Sequence, residues 1–421
     1  MEREWHGYWW LPEAPKEKVP GRLVASRDGT SRLELTGGLA LSDTGAESKA
    51  DIILGNAEGK KITLVRCFVL TARPGLIQHA KHYQRVHVNR ALIGAHLQTT
   101  DAVFESGRAQ FEHLTTWLAA PAVERTQSHG DHRYEAVVQD APPLEVTLDG
   151  WTLKTRTQVQ PFGVINTRRR DVVSSEVDTY LFLKPTELAT FDGFDGLILA
   201  MTDLLTLASG EASGLIDWVL THRDRDTFHE RDGSTYEWPV SVESIGRRTY
   251  TATPDDPAVP EHRFRFTCRD VPFDELLPRW LSLRRRVNTA CNVFFGLSYA
   301  RPVYTETRLL LAAIAAEELH TSLEPALGGK SSYKHRMRSL AMRADPEALG
   351  AIIGDVDAWA SRITRARHGL AHSGNDTHDE DLFRLEWMTV GLISLVLMAE
   401  LGLSAEVQLR AAKWPLQHPF A

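Results

Sequence analysis

Alternating apolar and polar positions dominate the first half of the chain, and helical spacing takes over in the last third. Residues 22–35 place Leu23, Val24, Leu33 and Leu35 around Asp28-Gly29, which predicts a hairpin. Residues 52–54 and 62–70 flank Glu58-Gly59 in the same way. The second of these runs, Ile-Thr-Leu-Val-Arg-Cys-Phe-Val-Leu, is β-branched and too apolar for an edge strand. Further strand-like runs lie at 83–88, 134–138, 144–148 and 151–160. Residues 111–118 carry helical spacing instead, with Phe111, Leu114 and Trp117/Leu118 on one side. Beyond about 177 the pattern predicts a strand at 179–183, a helix over 197–209 stopped by Gly210, and strands at 216–220, 240–245 and 263–268.

From about Pro272 the spacing is helical. One helix is expected over 273–297, opened by Asp274-Glu275, with Pro278 as its candidate bend. A second, over 305–323, carries an apolar stripe of Leu309, Leu310, Ala313, Ile314, Ala316, Leu319 and Leu323. A glycine turn leads to a basic helix at 333–343, and Pro346 opens a segment that runs to about His372. The last helix, 381–403, is apolar nearly all round from Val390 to Ala399. It is therefore expected at the centre of a bundle of four or five helices, or under a partner. The fold class is α+β: a β-rich, sandwich- or barrel-like N-terminal domain with some helix (1–270, divisible into 1–175 and 176–270), then an all-α bundle (271–421). Residues 255–260 come nearest to a linker.

Composition narrows the function classes. A chain of 421 residues with 43% hydrophobic and 24% charged residues is globular rather than disordered, and long enough for two or three domains. Its net charge of −7 excludes a generic nucleic-acid coat but leaves room for an RNA enzyme with a local basic site. Cys67, Cys268 and Cys291 form no metal-ligand pattern and suit a reducing compartment. Met-Glu-Arg-Glu-Trp-His lacks the basic-then-apolar order of a signal peptide. The Val390–Ala399 run is about half the length that spans a bilayer. These features lead to the expectation of a soluble cytoplasmic protein without membrane contact.

The candidate chemistry lies in Arg365-Ala-Arg367-His368-Gly-Leu-Ala-His372. A histidine moves a proton near neutral pH, and an arginine holds a phosphate and offsets charge developing on it. Together they are what metal-free RNA cleavage needs, with no cofactor and no metal. Arginine–histidine pairs at such spacing also occur at Arg73/His79, Arg90/His96, Arg108/His113, Arg125/His129 and Arg223/His229, so context has to select this one. On an ideal helix, positions five apart differ by about 140°. Either Gly369 loosens or ends the helix between Arg367 and His372, or Arg365, seven residues before His372, is the working arginine. Arg367 is the favoured choice.

The pattern of arginine, polar residue, three residues and histidine resembles the signature of HEPN ribonucleases. The C-terminal bundle around it resembles the ApeA-like branch of that family. Gly7-Tyr8-Trp9-Trp10-Leu11-Pro12 followed by Val19-Pro20-Gly21-Arg22-Leu23, and residues 182–210 with their Leu-Leu-Thr-Leu-Ala-Ser-Gly close, resemble the ApeA N-terminal domain. The resemblance implies a bacterial abortive-infection factor, an endoribonuclease released during phage infection that works as a homodimer through its bundle. Arg367 and His372 would be its catalytic pair, with His368 in the polar second place. RNA, with tRNA as the first guess, would be the substrate, and a phage-derived trigger would act through the N-terminal domain. The alternative is a non-catalytic HEPN module that binds RNA or protein.

Other residues are read more plainly. Glu317, Glu318 and His320 could orient the site, although such residues more often form a solvated face. Lys330, Lys334, His335, Arg336 and Arg338 could track an RNA backbone or simply coat an exposed helix. Arg168-Arg169-Arg170 and Arg284-Arg285-Arg286 read as surface charge, and Trp5, Tyr8, Trp9 and Trp10 as rings packed into a core. His79, His82 and His87, and His129 and His132, lack the partners of a zinc site. Gly328-Gly329-Lys330-Ser331 lacks the upstream glycine and strand of a phosphate-binding loop.

Overall fold

The computed structural model describes residues 2–26, 28–41, 48–73, 83–98, 101–119, 123–127, 134–138, 141–160, 162–166, 168–229, 234–246, 257–300, 302–327, 331–372 and 379–417. Strands β1 (Arg3–Trp10), β2 (Val19–Ala25), β3 (Ser31–Thr36), β4 (Lys49–Ala57), β5 (Lys60–Arg73) and β6 (Tyr83–Ile93) form an antiparallel barrel in the order β6-β3-β2-β1-β4-β5, closed by β5 pairing back onto β6. Both expected hairpins are present. At Glu58-Gly59, φ values of 50° and 74° give the two-residue turn whose twist matches paired strands. Trp5, Trp9, Leu23, Leu33, Leu35, Ile53, Ile62, Leu64 and Val86 fill the interior; Tyr8, expected in the core, is 57% exposed instead, and Trp10 on the same strand face is buried outside this cluster, against His96.

The sheet continues past β6 through β16 (Thr235–Gly246), β15 (Leu215–His229), β7 (Phe104–Phe111), β14 (Val177–Pro185), β11 (Trp151–Val159) and β10 (Glu145–Leu148). Helix α1 (Leu114–Leu118) is shorter than the 111–118 expectation because Phe111 still belongs to β7. Two small ribbons, β8 (Val123–Gln127) with β9 (Tyr134–Val138) and β12 (Gly163–Asn166) with β13 (Asp171–Ser174), stand apart from this sheet. Helix α2 (Phe191–Ser209) starts six residues earlier than its apolar run, where Thr190 Oγ1 accepts from Gly193 N, and ends at Gly210 with φ 79°. The strand expected at 263–268 is absent. A 3₁₀ turn (Glu261–Arg263) leads into irregular chain that alternately buries Phe264 and Phe266. Its backbone is satisfied by Ala208 O and Trp117 O rather than by a strand.

The C-terminal part contains α3 (Phe273–Arg286), α4 (Asn288–Ala300), α5 (Thr305–Leu323), α6 (Tyr333–Ala341), α7 (Pro346–Ile352), α8 (Val356–His372), α9 (Asp379–Glu400) and α10 (Ala405–Gln417). That is more helices than expected. The 273–297 helix is divided at Val287, with Pro278 inside its first part, and the segment opened by Pro346 is divided where Gly354 adopts φ 68°. α9 is the core helix its composition predicts, with Leu392, Ile393, Leu395, Val396, Leu397 and Met398 at 1% exposure or less. Among the described residues, its 381–400 stretch is long and apolar enough to cross a membrane, but two thirds of it is buried inside the protein.

One hydrophobic core runs from the part of the sheet beyond the barrel and α2 into the helices, separate from the barrel core. Within it lies a polar junction that corrects the reading of 284–286 as surface charge. Arg284 is buried, and its Nε donates to Asp203 Oδ2 at 2.8 Å while its Nη groups reach Asn288 and Asn292. Tyr299 donates to the other Asp203 oxygen at 2.6 Å. Arg285 and Arg286 are exposed, as expected.

Candidate functional site at the α5–α6–α8 junction

Helix α8 presents two faces. Trp359, Ala360, Ile363 and Ala366 turn into the core, whereas Arg365 and His368 are exposed. Arg367 lies on the flank of the buried face, about one third exposed. Its Nη2 donates to Glu317 Oε2 on α5 at 2.7 Å, and its Cζ sits 4.8 Å from the centroid of the Tyr333 ring on α6. The other oxygen of Glu317 lies 2.6 Å from Arg336 Nη2 on α6. One carboxylate thus ties two guanidinium groups together, leaving a net positive cluster where three helices meet.

Local sequence accounts for the arrangement. Ser332 caps α6 by accepting from His335 N, which starts the helix at Tyr333 and puts Arg336 one turn on. The Tyr333 hydroxyl donates to Ala313 O on α5 at 3.1 Å, and burial pushes its pKa well above the ordinary 10, so the ring stays neutral beneath Arg367.

The remaining candidates scatter. Glu317, rather than Glu318, holds Arg367. His320, one turn further along α5, is fully buried with neither ring nitrogen hydrogen-bonded. Burial, reinforced by Arg336, lowers its pKa and keeps it neutral. Lys334 and His335 are exposed, and Arg338 pairs with Asp357 at 2.7 Å. Lys330 lies outside the described residues, as do His79, His82, His129 and His132. Among the described residues no group of histidine, cysteine and acidic side chains could hold a metal ion.

The expectation that Gly369 loosens α8 is not met, because the helix runs unbroken through Gly369 to His372. Arg367 and His372 therefore stand about 140° apart on one helix, whereas Arg365 and His372 are about 20° apart. Tyr333 is the participant that sequence reasoning missed. Its signal was its place three residues before Arg336 at the start of a basic helix.

Residues 4–280 match the family model for ApeA N-terminal domain 1. The match begins in β1 and ends inside α3, so it takes in the barrel, the rest of the sheet, α2 and the first half of the helix that carries Arg284. No curated protein and no solved structure matches the chain.

Proposed function

The chain belongs to the ApeA family, and from that premise we propose that it is an anti-phage effector whose helical part is a metal-independent endoribonuclease. The observation that carries this reading is the seating of the motif arginine. Arg367 is held by Glu317 and Tyr333 in a net positive cluster, with a third of its surface open to a phosphate.

In the proposed reaction, two copies pair about a two-fold axis through their bundles. His372 takes the proton of a ribose 2′-hydroxyl, whose oxygen attacks the adjacent phosphorus. The P–O5′ bond breaks as a histidine returns a proton to the leaving oxygen. Arg367 offsets the charge that accumulates on the non-bridging oxygens. The products are a 2′,3′-cyclic phosphate and a 5′-hydroxyl, and tRNA is the first substrate to try. The N-terminal domain would restrain the helices until a phage-derived signal arrives.

The test incubates wild type, Arg367→Ala and His372→Ala with total bacterial RNA in EDTA, alone and in extract from infected cells, and maps the cut ends. Discrete cuts with cyclic-phosphate ends, absent from both variants, support the reading. Cutting that EDTA abolishes, or equal silence of all three proteins in infected extract, overturns it. Silence would leave a module that binds RNA or protein without cutting it.

A further inference from the structure

The β11–β14 hairpin does not end where the sheet does. Beyond Val159 and Val177 the chain is tied once more, by Gln160 N donating to Glu176 O at 2.8 Å, and then extends as the β12–β13 ribbon. Arg168-Arg169-Arg170 occupies the connection between its strands, all three exposed. Val164 pairs across the ribbon with Val173, and Ile165 with Val172. Phe162, Val164, Ile165 and Val173 are 50–63% exposed, so apolar side chains lie open on both faces. A free two-stranded ribbon is marginal in water, and exposed aliphatic pairs on it mark a surface shaped for contact.

Charge selects the occupant. Residues 162–174, the ribbon and its connection, hold three cations (Arg168, Arg169, Arg170) against one anion (Asp171), on a chain whose net charge is −7. The projecting end is therefore a local positive pole on an acidic protein, which suits a polyanion. A two-stranded ribbon has the width of a nucleic-acid groove, and the minor groove of an RNA duplex is wide and shallow.

We propose that the β12–β13 arm docks on double-stranded stems of RNA, its apolar faces lying along the minor groove and Arg168, Arg169 and Arg170 on the flanking phosphates. This rests on the reading of RNA as the substrate. The arm would supply affinity and choice of structured RNA, separately from the helices that cut.

The experiment measures fluorescence anisotropy of a labelled RNA hairpin, with a stem of about 16 base pairs, the length spanned by two successive minor grooves. Duplex DNA of equal length and vesicles of anionic phospholipid serve as comparisons. All proteins are full-length and carry His372→Ala so that RNA survives. The added R168A/R169A/R170A change is expected to weaken hairpin binding about tenfold or more, and to flatten the dependence of log affinity on log salt by about one to three. Ile165→Ser with Val173→Ser is expected to weaken binding at an unchanged salt slope. The arm changes are then placed in the wild-type chain. Cleavage of structured RNA that falls with them through a higher KM at little-changed kcat supports the division of labour. If the arm variants bind and cut as well as their parents, the arm assignment fails and the nuclease stands. Tighter binding to DNA or vesicles overturns the assignment to RNA, and a parent protein that neither binds nor cuts RNA overturns both readings.

Discussion

Arg367 donates from Nη2 to Glu317 Oε2 at 2.7 Å, and this contact fixes the direction of the motif arginine. Because Glu317 also holds Arg336, Glu317→Gln removes the charge that binds both guanidinium groups. The variant is expected to lose about 1–2 kcal/mol of stability, less than a fully buried pair would cost because Arg367 is partly exposed. In the proposed nuclease, kcat should fall further than KM rises. Arg367→Lys should not restore cutting, since a point charge cannot reproduce the planar fork. Urea unfolding and steady-state cleavage check both effects.

His320 gives a pH dependence with a defined sign. Its folded pKa lies below the ordinary 6.5, first through burial and then through Arg336. The unfolded chain therefore binds the proton more readily than the folded one. The stability owed to neutral His320 is fully present above pH 6.5 and is lost as pH falls below it. Stability measured between pH 7 and 5 should decline less steeply in His320→Leu than in wild type.

Much of this architecture is legible in the sequence, for physical reasons that differ by element. Glu58-Gly59 announces its hairpin because few residue pairs accept two positive φ angles, and α9 announces its burial by being apolar all round. The division at Val287 is not legible, since what organises it is Arg284 turning inward to Asp203, eighty-one positions away in the chain. The irregular 263–268 segment alternates as a strand does, because alternate burial of Phe264 and Phe266 needs no strand partner. At the site, the motif shows which arginine and histidine to consider. The choice of Glu317 over Glu318 depends on how α5 is rotated against α8, which only packing decides.

The barrel supplies a steric prediction. A Cβ at Gly55 would lie 2.2 Å from a ring carbon of Trp9, whose side chain is fully buried. Gly55→Ala must push that ring or bend β4, and is expected to cost about 1–3 kcal/mol. Hydrogen exchange should show the loss first in β1 and β4, which pair from Gly7–Ala57 to Trp10–Leu54.

Asp203 on α2 and Arg284 on α3 are both at least 95% buried, so each depends on the other for neutralisation. Arg284→Ala leaves a carboxylate supported only by Tyr299, and should cost about 3–5 kcal/mol. The double variant Asp203→Ala/Arg284→Ala should cost less than the sum of its parts, because it strands neither charge. Additive losses in denaturant unfolding would show that the two act independently, and that this junction does not couple the family domain to the helices.

The unbroken course of α8 makes a prediction about how a catalytic pair could be assembled. With Arg367 and His372 about 140° apart on one helix, a single copy aims the two positions in different directions. In the proposed two-fold pairing, the arginine position of one bundle would face the histidine position of the other. Arg367→Ala and His372→Ala proteins, each inactive alone, should then recover part of the cleavage when mixed and allowed to exchange subunits. A mixed dimer retains Arg367 from one copy and His372 from the other in one of its two sites. A site built within one copy would stay dead in every mixture. That outcome would place the pair within one copy, whereas an Arg367→Ala protein that still cuts alone would move the working role to Arg365, about 20° from His372, and Arg365→Ala should then abolish cutting.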